Sequence, residues 1–248
     1  MSQLVAVKEY TEGNKEARER DILLAIKTGT TSVNGGLNIA QILNYDRTHE
    51  FPKWLILSTL PAFCTLQAFC DKVKELKTQL PYQLVWFFFL EISRAFQFLH
   101  DECDPPIAHL DLHDLNVLVG FDNSEYSGLP TIRIIDFDAA KLCSIHDVTR
   151  MIERDTAEFK LLVSDIASLA MDEAGSTGCD VLDNFQRECN QRQHDTLNSV
   201  LWDVGGTPAE CVERLSDAEV QDINILVRSV VKPNLQHIRD AVRTKFKE

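Results

Sequence analysis

The sequence predicts an α+β protein with two lobes, a short β-rich part followed by a longer helical part that contains one β-hairpin. Short runs with strand composition are concentrated before residue 60, and apolar side chains recur with helical spacing between residues 82 and 100. The composition, with 44% hydrophobic and 25% charged residues, is ordinary for a globular protein. These observations together define the fold class that we expect.

The N-terminal part is predicted to contain three strands and one helix. Val and Leu content predicts a strand at Gln3–Val7, and a helical stripe with charges in its first turns predicts a helix at Lys15–Ile26. Residues 28–36 have the composition of a loop. Two further short strands are predicted at Asn38–Leu43 and Trp54–Leu57, separated by a polar turn.

The C-terminal part, after Pro61, is predicted to be mainly helical. The segment Tyr82–His100 has the apolar periodicity of a buried helix. Two β-branched runs, Asn116–Gly120 and Thr131–Ile135, are joined by a turn-rich segment and predict a hairpin. From Phe159 to the end we expect mostly helices. The loops expected there lie near residues 175–180 and 203–208.

The charge and cysteine content argue against several classes of partner and compartment. A formal net charge of −13 repels phosphate backbones and anionic membrane leaflets, so we expect neither nucleic acid nor membrane as a main partner. The longest apolar run, Leu84–Leu90, is far shorter than a bilayer span. The seven scattered cysteines, with no CxxC pair and no signal peptide, predict free thiols in an intracellular, cytoplasmic protein.

The densest chemical signal is HLDLHDLNVLV at residues 109–119. Asp111 and Asn116 lie in a predicted loop, because a pair of prolines ends the preceding helix. The second strand of the hairpin leads into the triplet DFD at residues 136–138. Carboxylate and amide oxygens from two adjacent loops form a ligand set suited to Mg²⁺, which needs only one or two carboxylates together with phosphate oxygens.

The order of these motifs resembles the catalytic and metal-binding loops of the eukaryotic protein kinase-like superfamily. Residues 95–119 are similar to the helix and catalytic loop of protein kinases. VAVK at 5–8 resembles the strand with the nucleotide-binding lysine, and ERDIL at 19–23 resembles the next helix with its ion-pair glutamate. The runs NIAQIL and WLILSTLP resemble the following strands and the hinge. The resemblance covers roughly residues 3–170 and is to divergent members, in the style of fungal kinase-like proteins.

The resemblance implies a phosphoryl-transfer site that uses ATP and Mg²⁺ as cofactors. Lys8 would hold the α- and β-phosphates of ATP, and Glu19 would pair with Lys8. Asp111 would accept or orient the proton of the acceptor, which in a protein kinase is a Ser or Thr hydroxyl. These three are the predicted catalytic residues. His109 and Phe137 would pack behind the site.

The resemblance also implies the residues that bind the cofactors. Asn116 and Asp136 would coordinate Mg²⁺, and the nucleotide would lie against the hinge. The hinge residues predicted to contact it are Ser58, Thr59 and Leu60. Asp165 would match the aspartate that starts the central helix and supports the catalytic loop. The chain would then divide into a truncated N-terminal lobe, residues 1–61, and a helical C-terminal lobe, residues 62–248.

Departures from the protein kinase pattern leave two alternatives open. Lys8 lies so near residue 1 that we expect no Gly-rich loop over the phosphates, which favours an idle pseudokinase that acts as a binding or scaffold module. His113 and Asp138 resemble the small-molecule branch, such as aminoglycoside and choline phosphotransferases. Leu110 replaces the usual arginine of the catalytic loop, so pairing with a phosphorylated activation segment is not expected. The segment after Asp138 is short and has no APE signature.

Overall fold

The computed structural model confirms the predicted α+β class, with small β-sheets in the N-terminal part and helices in the C-terminal part. The described residues are 5–10, 15–29, 34–47, 53–60, 62–121, 129–170, 177–189, 197, 200 and 206–230. The start of the first predicted strand, parts of the two predicted late loops and the helical prediction for residues 231–248 lie outside these ranges.

Within the described ranges, the strands form three sheets. They are β1 (Val5–Glu9), β2 (Ile42–Tyr45), β3 (Trp54–Ser58), β4 (Ala62–Thr65), β5 (Ile107–Ala108), β6 (Val117–Phe121), β7 (Thr131–Ile134) and β8 (Lys141–Leu142). The first sheet has the antiparallel order β1-β3-β2, the second β4-β6-β7, and the third pairs β5 with β8.

The first sheet presents Lys8 from an edge strand. Lys8 lies opposite Leu55 of β3, and Ala6 lies opposite Leu57. Within the described ranges β1 pairs only with β3, so its other edge carries backbone groups without a described strand partner. Val5 and Val7 of this strand are 40% and 57% exposed. Lys8 therefore lies on a strand that has a described partner strand on one side only.

The predicted hairpin of β6 and β7 is confirmed. Val117 pairs with Ile134 at one end of the hairpin, and the backbone N–H of Ile135 donates to the Asn116 carbonyl at 3.0 Å. The residues that precede β6 and follow β7 are thereby held side by side. This pairing brings the two predicted metal-binding loops to the same end of one hairpin.

The described helices include α1 (Lys15–Gly29), α2 (Leu66–Glu75), α3 (Tyr82–Gln97), α4 (Val148–Ala167), α5 (Thr177–Cys189), α6 (Thr207–Glu213) and α7, residues 217–230. Helix α3 is apolar on nearly all sides, and the other helices of the C-terminal part pack against it. The Phe89 ring of α3 lies edge to face against Phe159 of α4 and Phe185 of α5, with centroid distances of 5.2 and 5.6 Å. This aromatic contact places α4 directly beside α3.

Several predicted boundaries were wrong. The four-residue strand β4 was missed, because its run AFCT has no local strand signal and becomes a strand only by pairing with β6. Helix α4 begins at Val148, well before the predicted Phe159, because its first turns are polar and exposed. The predicted strand Asn38–Leu43 begins only at Ile42, after a 3₁₀ turn at Asn34–Asn38. The predicted helix to His100 changes to a π-turn at Phe98–Glu102.

The division of the chain at residue 61 stays a prediction. β3 ends at Ser58, and β4 begins at Ala62 and pairs with the C-terminal strand β6. Ile39 also bridges to Ile134 of β7, so residues from before the proposed boundary contact strands from after it.

Cys64, Cys70, Cys103, Cys143 and Cys211 are free thiols, as predicted. Cys64, Cys103, Cys143 and Cys211 are buried, and Cys70 is half-buried. Burial raises the pKa of the Cys64 thiol to about 12 and that of Cys103 to about 11. None of the helices described for this chain combines the length and apolar character that crossing a bilayer requires.

Candidate functional site

Lys8 and Glu19 form an ion pair between β1 and α1. The Lys8 Nζ atom lies 2.8 Å from Glu19 Oε2 and 3.0 Å from Oε1, and Glu19 is fully buried. A buried carboxylate needs hydrogen-bond donors to remain ionised. Besides Lys8, the Tyr10 hydroxyl donates to Glu19, and the backbone N–H of Phe137 donates to Oε1 at 3.3 Å. The predicted pair of Lys8 and Glu19 is therefore in direct contact.

Lys8 also contacts both aspartates of the DFD triplet. Its Nζ atom lies 2.7 Å from Asp136 Oδ1 and 2.8 Å from Asp138 Oδ1. One ammonium group thus faces three carboxyl groups. Burial opposes its charge, but the attraction of Glu19 and the hydrogen bonds to Asp136 and Asp138 prevail, so the pKa of Lys8 lies above its ordinary value.

The carboxyl groups compete for this single cation. Burial and a hydrogen bond with Asp138 raise the pKa of Glu19 to about 7, although the charge of Lys8 acts in the opposite direction. Burial and the hydrogen bond to Glu19 raise the pKa of the Tyr10 hydroxyl, which therefore remains a donor. The cluster holds more negative groups than one lysine neutralises, which suits it to receive a further cation.

A cavity of about 290 Å³ opens beside Lys8. Its polar end is formed by Lys8, Glu19 and Asp136, and its walls are mainly apolar. The other lining residues are Ala6, Val7, Ala40, Leu57, Ser58, Thr59, Phe63, Leu118 and Ile135. An apolar cavity with charged groups at one end fits a heterocycle that carries an anionic group.

The predicted hinge residues have different positions relative to this cavity. Ser58 and Thr59 are among its lining residues, whereas Leu60 is fully buried and is not. The Ser58 hydroxyl accepts a hydrogen bond from the backbone N–H of Gln41 at 2.8 Å, which ties the end of β3 to the residue before β2. Phe63 of β4 also lines the cavity and was not predicted, because it follows the missed strand boundary.

The catalytic-loop motif places Asp111 at the surface and Asn116 beneath it. Asp111 is half exposed, and the side-chain amide of buried Asn116 donates to the Asp111 carbonyl at 2.9 Å and to Asp111 Oδ2 at 3.3 Å. With its amide nitrogen directed at Asp111, Asn116 has its amide oxygen to offer a metal ion. His113 Nε2 lies 3.7 Å from Asp111 Oδ2.

His109 and Phe137 pack against each other, as the resemblance implied. Both are fully buried, with ring centroids 4.8 Å apart. His109 Nδ1 accepts from the Asp111 N–H, so its Nε2 carries the proton and donates to the Ile135 carbonyl at 3.1 Å. Burial lowers the pKa of His109, which keeps this ring neutral. It therefore links the two loops structurally.

The aspartate that supports the catalytic loop is Asp155, and the prediction of Asp165 was wrong. Asp155 is fully buried in α4 and accepts from the N–H groups of His109 at 2.9 Å and Leu110 at 2.7 Å. His100 Nε2 lies 2.8 Å from Asp155 Oδ2, the same oxygen that accepts from the His109 N–H. Asp165 lies ten residues further along the same helix on an exposed face. Asp155 was missed because it lies in the charged run ERDTAEF, in which no local feature distinguishes a buried acidic residue from the exposed ones.

Two loops show backbone conformations that ordinary side chains rarely adopt. Leu110 has a φ of 64° and Asp136 a φ of 65°. Such left-handed backbone costs of the order of 1–3 kcal/mol and persists only where surrounding contacts determine it. Leu110 precedes the predicted base Asp111, and Asp136 is itself a predicted metal ligand. Two of the three non-glycine residues with positive φ in the described chain therefore lie at the candidate site, and the third is Lys77.

A solved structure with the same architecture is the crystal structure of the BubR1 kinase domain. It superposes with a TM-score of 0.65 and 17% sequence identity, over 91% of this chain and 78% of that chain. The chain has a kinase-like fold. At this identity the likeness concerns the fold alone. No protein-family model matches the sequence, and no curated protein does.

The donor atoms at this site match the chemistry of the predicted cofactors. Ligand atoms of Glu19, Asp136 and Asp138 lie within 4.8 Å of one another, a spacing at which they can share one cation. Asn116 is held at the same end of the hairpin as Asp136. Oxygen donors of this kind suit Mg²⁺, and the apolar cavity next to Lys8 suits a nucleotide base.

Proposed function

We propose that the chain is an ATP- and Mg²⁺-dependent phosphotransferase that transfers the γ-phosphoryl group of ATP to a hydroxyl group. One observation carries the proposal. The cavity has apolar walls and ends at the Lys8–Glu19 ion pair, directly beside Asp136. A nucleotide whose base occupies the cavity would direct its phosphates towards Lys8 and the proposed metal ligand Asp136. This is the arrangement that phosphoryl transfer needs.

The residues have distinct roles in this proposal. Lys8 binds phosphate oxygens, and Glu19 keeps the ammonium group in place. Asp136 and Asn116 would hold Mg²⁺, which offsets the negative charge that spreads over the transferring phosphoryl group. Ser58 and Thr59 would contact the nucleotide base. The predicted contact of Leu60 would be through its backbone, because its side chain is buried.

Asp111 is the proposed base for the acceptor. The bond between the γ-phosphorus and the β–γ bridging oxygen breaks as the acceptor oxygen bonds to phosphorus, and ADP leaves. The acceptor proton passes to Asp111 and then to water. Asp111 is exposed enough to meet an acceptor from solvent, and Asn116 fixes its backbone. The acceptor favoured by the sequence resemblance is a Ser or Thr side chain.

Nucleotide binding with and without Mg²⁺ tests the proposal directly. We expect ATP with Mg²⁺ to raise the unfolding temperature of the wild type, since a ligand at about 100-fold excess over its Kd adds roughly 2.7 kcal/mol. Lys8→Met should abolish most of this stabilisation, and Asp136→Asn should abolish its dependence on Mg²⁺. Lys74→Met is the matched control, because Lys74 is exposed on α2 outside the cavity lining. No stabilisation of the wild type at millimolar ATP would refute the proposal.

A small-molecule acceptor is the second candidate, and one observation favours it. Only residues 139–147 connect the DFD triplet to α4, and they include the short strand β8, which pairs with β5. This connection leaves little chain from which to build a surface for a peptide. Incubation with labelled ATP and either a panel of Ser/Thr peptides or a panel of aminated sugars and alcohols separates the two acceptor classes.

A pseudokinase is the remaining candidate, and it is favoured by the contacts of Lys8. Its ammonium group is surrounded by the carboxylates of Glu19, Asp136 and Asp138, and β1 has no described strand on its outer edge. A nucleotide must displace part of this network to reach Lys8. This candidate would be favoured over the enzyme if the wild type binds nucleotide with Mg²⁺ but transfers no phosphoryl group to water or to any acceptor.

A further inference from the structure

Leu110 is held in its left-handed conformation from both sides of its peptide unit. Its N–H donates to Asp155 at 2.7 Å, and its carbonyl accepts from Arg154 Nη2 at 2.5 Å. Arg154 and Asp155 are neighbours on α4. Because a leucine with a φ of 64° is strained, contacts to both backbone groups are what keeps it there. The next residue is Asp111, so the backbone conformation of Leu110 determines the orientation of the proposed base.

A second acidic residue of α4 holds the other side of Asp111. Glu158 Oε2 accepts from the Leu112 N–H at 2.9 Å, and Glu158 Oε1 accepts from Arg154 Nε at 2.9 Å. Arg154 therefore joins the Leu110 carbonyl to Glu158, and Glu158 joins Arg154 to Leu112. The residues on both sides of Asp111 are fixed by one connected network on a single helix.

We propose that Arg154 and Glu158 are positioning residues that fix the orientation of Asp111 through the backbone of Leu110 and Leu112. This inference rests on the proposed function. It assigns the orientation of the catalytic loop to side chains of α4.

The network also acts on the proposed metal ligand. Asn116 donates its amide N–H to the Asp111 carbonyl and carboxylate, so a displaced Asp111 displaces Asn116 as well. The cavity, in contrast, is lined by Lys8, Glu19 and strand residues. None of the hydrogen bonds of Arg154 and Glu158 within the described part of the chain reaches these residues. Loss of the network should thus weaken Mg²⁺ binding and lower turnover, while the cavity proposed to bind the nucleotide stays intact.

Four proteins test this inference: the wild type, Arg154→Lys, Glu158→Ala and Arg150→Ala. Arg154→Lys keeps the charge but cannot bond Leu110 and Glu158 with two separate nitrogens. Arg150→Ala is the control, because Arg150 lies on the same helix, is 79% exposed and pairs with Asp147. For each protein we would measure ATP affinity with and without Mg²⁺ by titration calorimetry, and kcat and KM for ATP turnover.

We expect the two network variants to keep the metal-free ATP affinity and the KM within about twofold while kcat falls roughly tenfold or more. Most of the gain in affinity from Mg²⁺ should also disappear, which decides the question even if turnover is slow. Arg150→Ala should match the wild type. If the network variants also match the wild type, the inference is wrong and the proposed function stands. A wild type that binds no ATP refutes the proposed function itself.

Discussion

The two halves of the candidate site are built in opposite ways. The catalytic loop around Asp111 is held through its backbone by side chains of α4, above all the fully buried Asp155. The nucleotide end around Lys8 is held by contacts between side chains, on an edge strand that is largely exposed. Backbone contacts to a packed helix fix one geometry, whereas ion pairs near solvent rearrange with protons, salt and ligands. The loop is therefore the rigid reference against which the nucleotide end adjusts.

The largest expected effect is at the centre of the rigid half. Asp155→Ala leaves two buried backbone N–H groups and the buried His100 ring without their acceptor. We expect the free energy of unfolding to fall by about 3–5 kcal/mol, as for other buried charged partners. Urea unfolding measures this loss. Asp165→Ala on the exposed face of the same helix should change the stability by less than about 0.5 kcal/mol. Equal losses for the two variants would contradict the comparison.

The second effect is a pH dependence at the adjustable half. The pKa of Glu19 is about 7 in the folded protein, above its ordinary value of 4.5, so between these values the folded state binds more protons than the unfolded state. The contribution of Glu19 to stability therefore falls as the pH rises from 4.5 to 7, by up to about 3 kcal/mol. Glu19→Gln should remove this part of the slope.

Chemical unfolding at several pH values between 4.5 and 7.5 measures this dependence. The informative quantity is the difference between the wild type and Glu19→Gln at each pH, because other titrating groups cancel from it. A difference that does not change with pH would mean that Glu19 is ionised throughout, and that Lys8 alone balances it.

The smallest expected effect concerns the outer contact of Lys8. Asp138→Asn removes one of the three carboxylates, but Lys8 and Asp138 have side chains that are 27% and 40% exposed. We expect a stability change within about 1 kcal/mol, and one that shrinks further in high salt. Thermal unfolding at low and at high salt checks both statements. A large, salt-independent loss would show that this half is as rigid as the catalytic loop.

The sequence order predicted which chemical groups would meet. Glu19 and Asp136 lie 11 and 128 residues from Lys8 along the chain, and the structure brings both within hydrogen-bond distance of the Lys8 ammonium group. Asp111 and Asn116 also lie together. These groups occur in short, dense motifs, which is why a reading of the sequence could find them. Their catalytic and binding roles stay predictions.

The supporting residues could not be predicted in the same way. Asp155, Arg154 and Glu158 act on residues more than forty positions earlier in the chain, and their role depends on where α4 packs against α3. Tyr10 was also missed, because a tyrosine after a strand carries no signal for a buried carboxylate partner. Positions of this kind are set by tertiary packing rather than by local sequence.

The buried cysteines make the two halves separately observable during unfolding. Thiols attack alkylating reagents as thiolates, so a buried thiol with a raised pKa reacts only when its surroundings open. Cys143 packs with Leu110 beside the catalytic loop, and Cys64 lies in β4 next to Phe63 of the cavity lining. The alkylation rate of each thiol in the wild type can be followed by mass spectrometry. Each rate reports how often its own part of the molecule opens, and no engineered cysteine is required.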